Sequence, residues 1–206
     1  MLVKICGITT REAAKAASEA GADFIGFVFA PSKRQITPEK AATIAASLPS
    51  SVRKVGVFVN EDLEQMIETA EQVGLDVLQL HGDEPAEMIE QLPYPTIKAF
   101  PADPAKLADL PDYPSDFYLV DSPFGKNRGG NGTTFDWQML NSLQLDKQKL
   151  ILAGGLNPEN IQEAINQANP ACVDVSSGVE TNGEKDHEKI RRFIDQAKHT
   201  NTKMKG

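Results

Sequence analysis

A single-domain parallel (β/α)8 barrel, of the TIM type, is the fold class this sequence predicts, and three observations carry the prediction. Eight short apolar runs recur along 206 residues, at 2–5, 24–27, 54–59, 77–80, 96–100, 117–120, 150–153 and 172–175. They are rich in β-branched or aromatic residues and mostly unbroken, the pattern of strands buried on both faces. Amphipathic stretches at helical spacing lie between them, and that alternation predicts parallel strands joined by crossover helices. Several runs, finally, stop at a chemically equipped residue: Cys6, His81, Asp121, the pair Gly154-Gly155, and Asp174. A barrel gathers the C-terminal ends of its strands around one mouth, which makes one candidate site of these scattered residues.

In chain order, the run 2–5 ends at Cys6-Gly7, and an alanine-rich helix follows at 12–20. Gly21 can supply a left-handed stop before run 24–27, as Gly74 can between the helix at 63–73 and run 77–80. The segments Glu19-Ala20-Gly21-Ala22-Asp23 and Gln72-Val73-Gly74-Leu75-Asp76 thus form a weak internal repeat. Further helices are expected at 38–48, 85–92, 135–143, 160–168 and 187–198. Pro101, Pro104, Pro111 and Pro114 crowd the fifth unit, so its helix is expected to be short or missing. The whole of 1–206 reads as one domain, without a linker or composition break and with a polar, frayed tail at 200–206. It is short beside the usual barrel of about 250 residues.

Composition narrows the function. With 40% hydrophobic and 24% charged residues, the chain reads as an ordinary globular protein. A net charge of −8 argues against a nucleic-acid surface, but not against a small anion held by backbone N–H groups. No signal peptide or membrane span is visible, and a cytoplasmic location is expected. Two cysteines, Cys6 and Cys172, make no disulfide framework, and three histidines and two cysteines show no zinc-like spacing. Dinucleotide and P-loop fingerprints are absent, so a reaction without metal or redox cofactor on a phosphorylated small molecule is expected.

Individual motifs sharpen this. Period two along a strand puts Lys4 on the face of Cys6, and a neighbouring cation is expected to lower the thiol pKa. Asp121 closes an apolar strand, where burial raises a carboxyl pKa into a useful acid range. The following glycine-rich segment, 122–134, suits a mobile cover. Ala153-Gly154-Gly155-Leu156 and Asp174-Val175-Ser176-Ser177-Gly178-Val179 follow the seventh and eighth strands, where barrels often bind phosphate. Small residues there let N–H groups approach an oxyanion, and serine hydroxyls add donors. Arg34 offers a fork for a carboxylate, and His81 stands at a strand end. Each residue also has a plainer role available: buried thiol, helix cap, surface cation or ordinary turn.

Together, Lys-Ile-Cys-Gly-Ile-Thr at 4–9, Gln-Leu-His-Gly at 79–82, Leu-Val-Asp-Ser at 119–122, Phe-Asp-Trp at 135–137, Ala-Gly-Gly-Leu at 153–156 and Val-Asp-Val-Ser-Ser-Gly-Val-Glu at 173–180 closely resemble the phosphoribosylanthranilate isomerase family of tryptophan biosynthesis. The likeness extends through Gly183-Glu184-Lys185-Asp186-His187, with Asn131 in place of an expected threonine. The resemblance implies an Amadori rearrangement of an aminoaldose to an aminoketose, without metal or cofactor; a monomer or homodimer is expected, the sequence leaving the two open. It makes Asp121 the general acid, Cys6 the general base, and Arg34 the partner of the anthranilate carboxylate. Asp174 and His81 would orient the opened sugar, and Gly154, Gly155, Ser176, Ser177 and Gly178 would hold the phosphate. Other sugar-phosphate chemistry on the same barrel, or phosphometabolite binding without catalysis, are the alternatives.

Overall fold

In the computed structural model, the described residues are 1–108, 110, 113–123, 134–143 and 145–199. Eight parallel strands, β1 (Leu2–Cys6), β2 (Phe24–Val28), β3 (Arg53–Phe58), β4 (Val77–Leu80), β5 (Thr96–Pro101), β6 (Phe117–Asp121), β7 (Leu150–Leu152) and β8 (Cys172–Val175), form a closed barrel in sequence order. Closure pairs β1 with β8, with Leu2 opposite Cys172 and Lys4 opposite Asp174. All eight predicted runs are strands, displaced by a residue or so at their ends.

The helices are α1 (Arg11–Glu19), α2 (Pro38–Ala45), α3 (Leu63–Val73), α4 (Ala86–Ile89), α5 (Pro104–Leu107), α6 (Ile161–Ala168) and α7 (His187–His199). Local chemistry sets several ends. The Thr10 hydroxyl accepts from Ala13 N at 3.2 Å to open α1, and Gly74 closes α3 at φ +71. The helix expected at 85–92 contracts to one turn in α4, and that at 135–143 to a 3-10 turn over Trp137–Asn141. The proline-rich fifth unit keeps only α5, again a single turn.

The internal repeat has a physical basis. Asp23 Oδ2 accepts from Val3 N at 2.8 Å, Asp76 Oδ2 from Lys54 N at 2.7 Å, and Asp116 Oδ2 from Thr96 N at 2.8 Å. Each aspartate lies just before an even-numbered strand and ties down the start of the preceding one. These bonds satisfy N–H groups at the end of the barrel opposite the mouth, where such residues serve stability.

Inside the barrel, Phe24, Val55, Val77, Ile97, Leu119, Ile151 and Cys172 form an apolar plug with Ala99 and Ala153. Alternate strand residues, among them Ile5, Ile25, Leu78 and Val173, face outward into the layer between sheet and helices. The interior above the plug is polar. Lys4, Gln79, His81, Asp121 and Asp174 are all buried there. Cys6 and Cys172 are both free thiols. Strand register sets them four residues apart along the barrel, roughly 13 Å, beyond disulfide reach.

Candidate active site

Cys6 ends β1 and faces inward because Gly26, its partner on β2, leaves room for it. A methyl group at Gly26 would fall 2.9 Å from Cys6 Sγ and 3.3 Å from Lys4 Nζ. Sequence reasoning passed over Gly26, although a glycine inside an otherwise bulky strand often marks a close approach. Lys4 is fully buried, and its Nζ donates to Asp174 Oδ1 at 3.1 Å. Burial disfavours the ammonium, but Asp174 and Cys6 outweigh it and hold the Lys4 pKa above the ordinary lysine value.

At the thiol, burial opposes the expected pull of Lys4. Burial pushes the Cys6 pKa up, Lys4 and Lys185 pull it down, Asp174 adds to the rise, and the result lies above the ordinary cysteine value. Lys4 therefore acts in the expected direction without winning. Cys6 thus rests as a thiol, with two cations available to stabilise its thiolate.

Asp121 closes β6 and is 5% exposed. Its Oδ1 accepts from Ser122 N at 2.8 Å and from Ser122 Oγ at 3.2 Å. Burial lifts its pKa to about 6, with a further rise from Asp174 and opposition from the Ser122 hydrogen bonds and Lys4. His81 Nε2 lies 3.6 Å from Asp121 Oδ2. With the Gln79 amide assigned so that its nitrogen donates to His81 Nδ1 at 2.9 Å, the neutral ring carries its proton on Nε2, toward the carboxylate. Gln79, a polar residue in an apolar strand, was also passed over in the sequence.

The β7 and β8 loops close the other side. Gly154 has φ +83, and a side chain there would collide with Ser122 N and come within 3.1 Å of Asp121 Oδ1. A side chain at Gly178 would overlap the Leu156 carbonyl, so the two loops touch through that glycine. Ser177 begins a 3-10 turn, Ser177–Val179, whose leading N–H groups have no intrahelical acceptor. One cleft is lined by Asp121, Gly154, Gly155, Asp174, Ser176 and Ser177. The Ser176 hydroxyl is otherwise engaged: Oγ donates to the Cys6 carbonyl at 3.1 Å and accepts from Lys185 Nζ at 3.3 Å. It braces the Cys6 strand end.

Arg34 lies against the same rim. A side chain at Gly7, which has φ +74, would meet Arg34 Cδ at 2.5 Å, so the arginine stem packs on the residue following Cys6. Its fork is not idle: Nε donates to Glu180 Oε1 at 2.6 Å and Nη2 to Oε2 at 3.0 Å. His187 and His199 sit at the two ends of α7. The cover segment and Asn131 fall largely or wholly on 124–133, outside the described residues. Among the described residues, no helix is long and apolar enough to cross a membrane, and no group of three or more His, Cys, Asp or Glu is placed to hold a metal.

The geometry gathers a buried acid, a buried thiol and two small-residue loops at one mouth, and comparison with known proteins gives the chain a family. Residues 3–196 match the family model described as N-(5'-phosphoribosyl)anthranilate (PRA) isomerase. The chain is 54% identical to N-(5'-phosphoribosyl)anthranilate isomerase of Oceanobacillus iheyensis over 94% of its length and 95% of the relative's. It is 51% identical to that of Listeria monocytogenes, covering 96% and 98%. The crystal structure of phosphoribosyl anthranilate isomerase from Thermotoga maritima superposes with a TM-score of 0.87 at 43% identity, covering 96% of this chain and 99% of that one. A structure of the enzyme in complex with reduced 1-(o-carboxyphenylamino)-1-deoxyribulose 5-phosphate gives a TM-score of 0.85 at 41% identity, covering 96% and 98%. The chain belongs to the N-(5'-phosphoribosyl)anthranilate isomerase family.

Proposed function

We propose that the protein converts N-(5-phosphoribosyl)anthranilate to 1-(2-carboxyphenylamino)-1-deoxyribulose 5-phosphate, with Asp121 as general acid and Cys6 as general base. The observation that carries this reading is a carboxyl with a pKa of about 6 and a buried thiol, both facing the Lys4–Asp174 pair at one barrel mouth. Opposed proton roles need opposed environments, and two dissimilar groups meet that need.

In the first step the anthranilate nitrogen lone pair forms the C1'=N bond as the C1'–O4' bond breaks, and O4' takes the Asp121 proton. The Cys6 thiolate then removes the C2' proton; those electrons form C1'=C2' and neutralise the iminium nitrogen. The enolamine becomes the ketone as a proton leaves O2' and another reaches C1'. Asp121 ends ionised and Cys6 protonated, so one proton exchanged with solvent resets the pair. The reactive arrangement, proton on the acid and off the thiol, is the minor one at neutral pH. Lys4 and Lys185 stabilise it by favouring the thiolate.

Arg34 receives the anthranilate carboxylate, while Asp174 and His81 orient the opened sugar. Backbone N–H groups around Gly154, Gly155, Ser176, Ser177 and Gly178 take the phosphate. The chain acts as one barrel domain in the cytoplasm, as a monomer or homodimer; a relative from Thermotoga maritima is described as dimeric. The test generates the labile substrate in situ and follows loss of its anthranilate fluorescence. Each proton transfer contributes about 10² to 10⁴ in rate, so Cys6→Ala and Asp121→Asn should lose turnover rather than binding. A flat wild-type trace would remove the activity, and near-wild-type turnover in either variant would remove that residue's role.

A further inference from the structure

The Arg34 fork is already filled on one edge by a buried carboxylate that the reaction as described does not use. Glu180 opens β9 (Glu180–Thr181), a two-residue strand after β8 that pairs antiparallel with β10 (Glu184–Lys185), with Lys185 opposite Glu180. Its side chain is 6% exposed and that of Arg34 is 12% exposed, so the pair is largely withdrawn from water. Lys185 Nζ donates to Glu180 Oε1 at 2.8 Å and to the Ser176 carbonyl at 2.8 Å. Burial would raise the Glu180 pKa, but Arg34 and Lys185 more than reverse that and hold it near 2, so it stays ionised.

We propose that Glu180, braced by Lys185, is a positioning residue that holds the Arg34 guanidinium with its end-on edge left for the substrate's aryl carboxylate. The inference rests on the reading of Arg34 as the carboxylate partner. A guanidinium presents two forks, and Glu180 occupies the side-on one formed by Nε and Nη2. No described residue accepts from Nη1, so the end-on fork of Nη1 and Nη2 remains. Charge points the same way. Arg34 and Lys185 bring two largely buried positive charges against the single negative charge of Glu180, and the exposed Lys33 adds a third at 3.8 Å, so the cluster keeps an excess of positive charge that favours a second carboxylate. Without Glu180, the two cations repel each other and the arginine, carried by an irregular loop, loses its fixed direction. The Gly7 contact supplies the floor on which the stem rests. Holding the fork before substrate arrives reduces the ordering cost of binding, which appears in KM and in preference for carboxylated substrates.

The test compares full-length wild type, R34A, E180Q and R34A/E180Q in the same fluorescence assay, with circular dichroism melts on each. E180Q should raise KM about tenfold with kcat within about threefold, and add nothing to the KM of R34A. Wild-type KM in E180Q beside an impaired R34A would overturn this inference alone, as would an equal KM rise with and without Arg34. Wild-type KM in R34A would overturn it together with the reading of Arg34. If E180Q fails to fold, E180D keeps the charge but draws it back by one methylene, and a severalfold KM rise at unchanged kcat is expected; an unchanged KM there would again overturn the proposal.

Discussion

Gly26→Ala tests whether the position of the Cys6 sulfur governs turnover. The new methyl would stand 2.9 Å from Sγ, 3.2 Å from Cys6 Cα and 3.3 Å from Lys4 Nζ. Ordinary contacts between such atoms fall near 3.5–4.0 Å, so something must give by roughly 0.6–1 Å. The Cα belongs to a strand hydrogen-bonded on both sides, so the thiol and the ammonium move instead. Misplacing a reacting group by about 1 Å can cost on the order of a hundredfold in rate. Overpacking costs about 1–3 kcal/mol in stability, or roughly 2–12 °C in Tm for a chain of this size. Steady-state fluorescence kinetics should show kcat down about a hundredfold with KM within about threefold, since the Arg34 and phosphate contacts lie elsewhere. Gly56→Ala is the control: its methyl would overlap the end of the Leu75 side chain and press on Phe58 at 2.8 Å and Phe29 at 3.2 Å, in the layer outside the barrel. It should lower Tm without a selective loss of kcat. A Gly26→Ala enzyme with kcat within threefold of wild type would refute the argument that the thiol's placement limits turnover.

Three further outcomes follow from the structure. The kcat profile should fall as pH drops below about 6, where Asp121 and Cys6 are both protonated and no base remains, and fall again above the raised thiol pKa, where no acid remains. kcat is the quantity to follow because a sugar phosphate itself titrates near 6. In Asp121→Asn the residual activity should lose the limb near 6; a limb that persists there belongs to another group. The same pKa has a stability consequence. A carboxyl raised from 3.8 to about 6 on folding gives stability that is full below 3.8 and is lost as pH rises through 6, about 3 kcal/mol at most. Urea unfolding should therefore find Asp121→Asn more stable than wild type at pH 7, and that advantage should shrink toward pH 4. Gly154→Ala, which strains a φ of +83 and drives a methyl into Ser122 N, should lower kcat at least tenfold and weaken competitive inhibition by inorganic phosphate. Unchanged values would show that the β7 loop neither supports Asp121 nor holds phosphate.

The strands were legible because period and composition declare them, and the site residues because most end such runs. The α4 and 3-10 segments were overestimated because apolar spacing continues past the point where the backbone turns away; packing against the barrel, and not propensity, sets those ends. Gly21 and Gly74 were readable as helix stops, whereas Gly26 and Gly154 were not readable as neighbours of the thiol and the acid. Their reason lies in atoms 20 and 33 positions away in the chain.

From the order of residues alone came the eight alternating units, the acid and thiol at strand ends, and two glycine-rich loops, since these depend on local period and residue type. Only the closed barrel decided the electrostatics. The thiol stays protonated because burial outweighs Lys4, the Ser176 hydroxyl braces the Cys6 carbonyl, and Arg34 arrives already gripped by Glu180, 146 residues away. Desolvation and long-range contact are properties of packed neighbours, and no stretch of sequence carries them by itself.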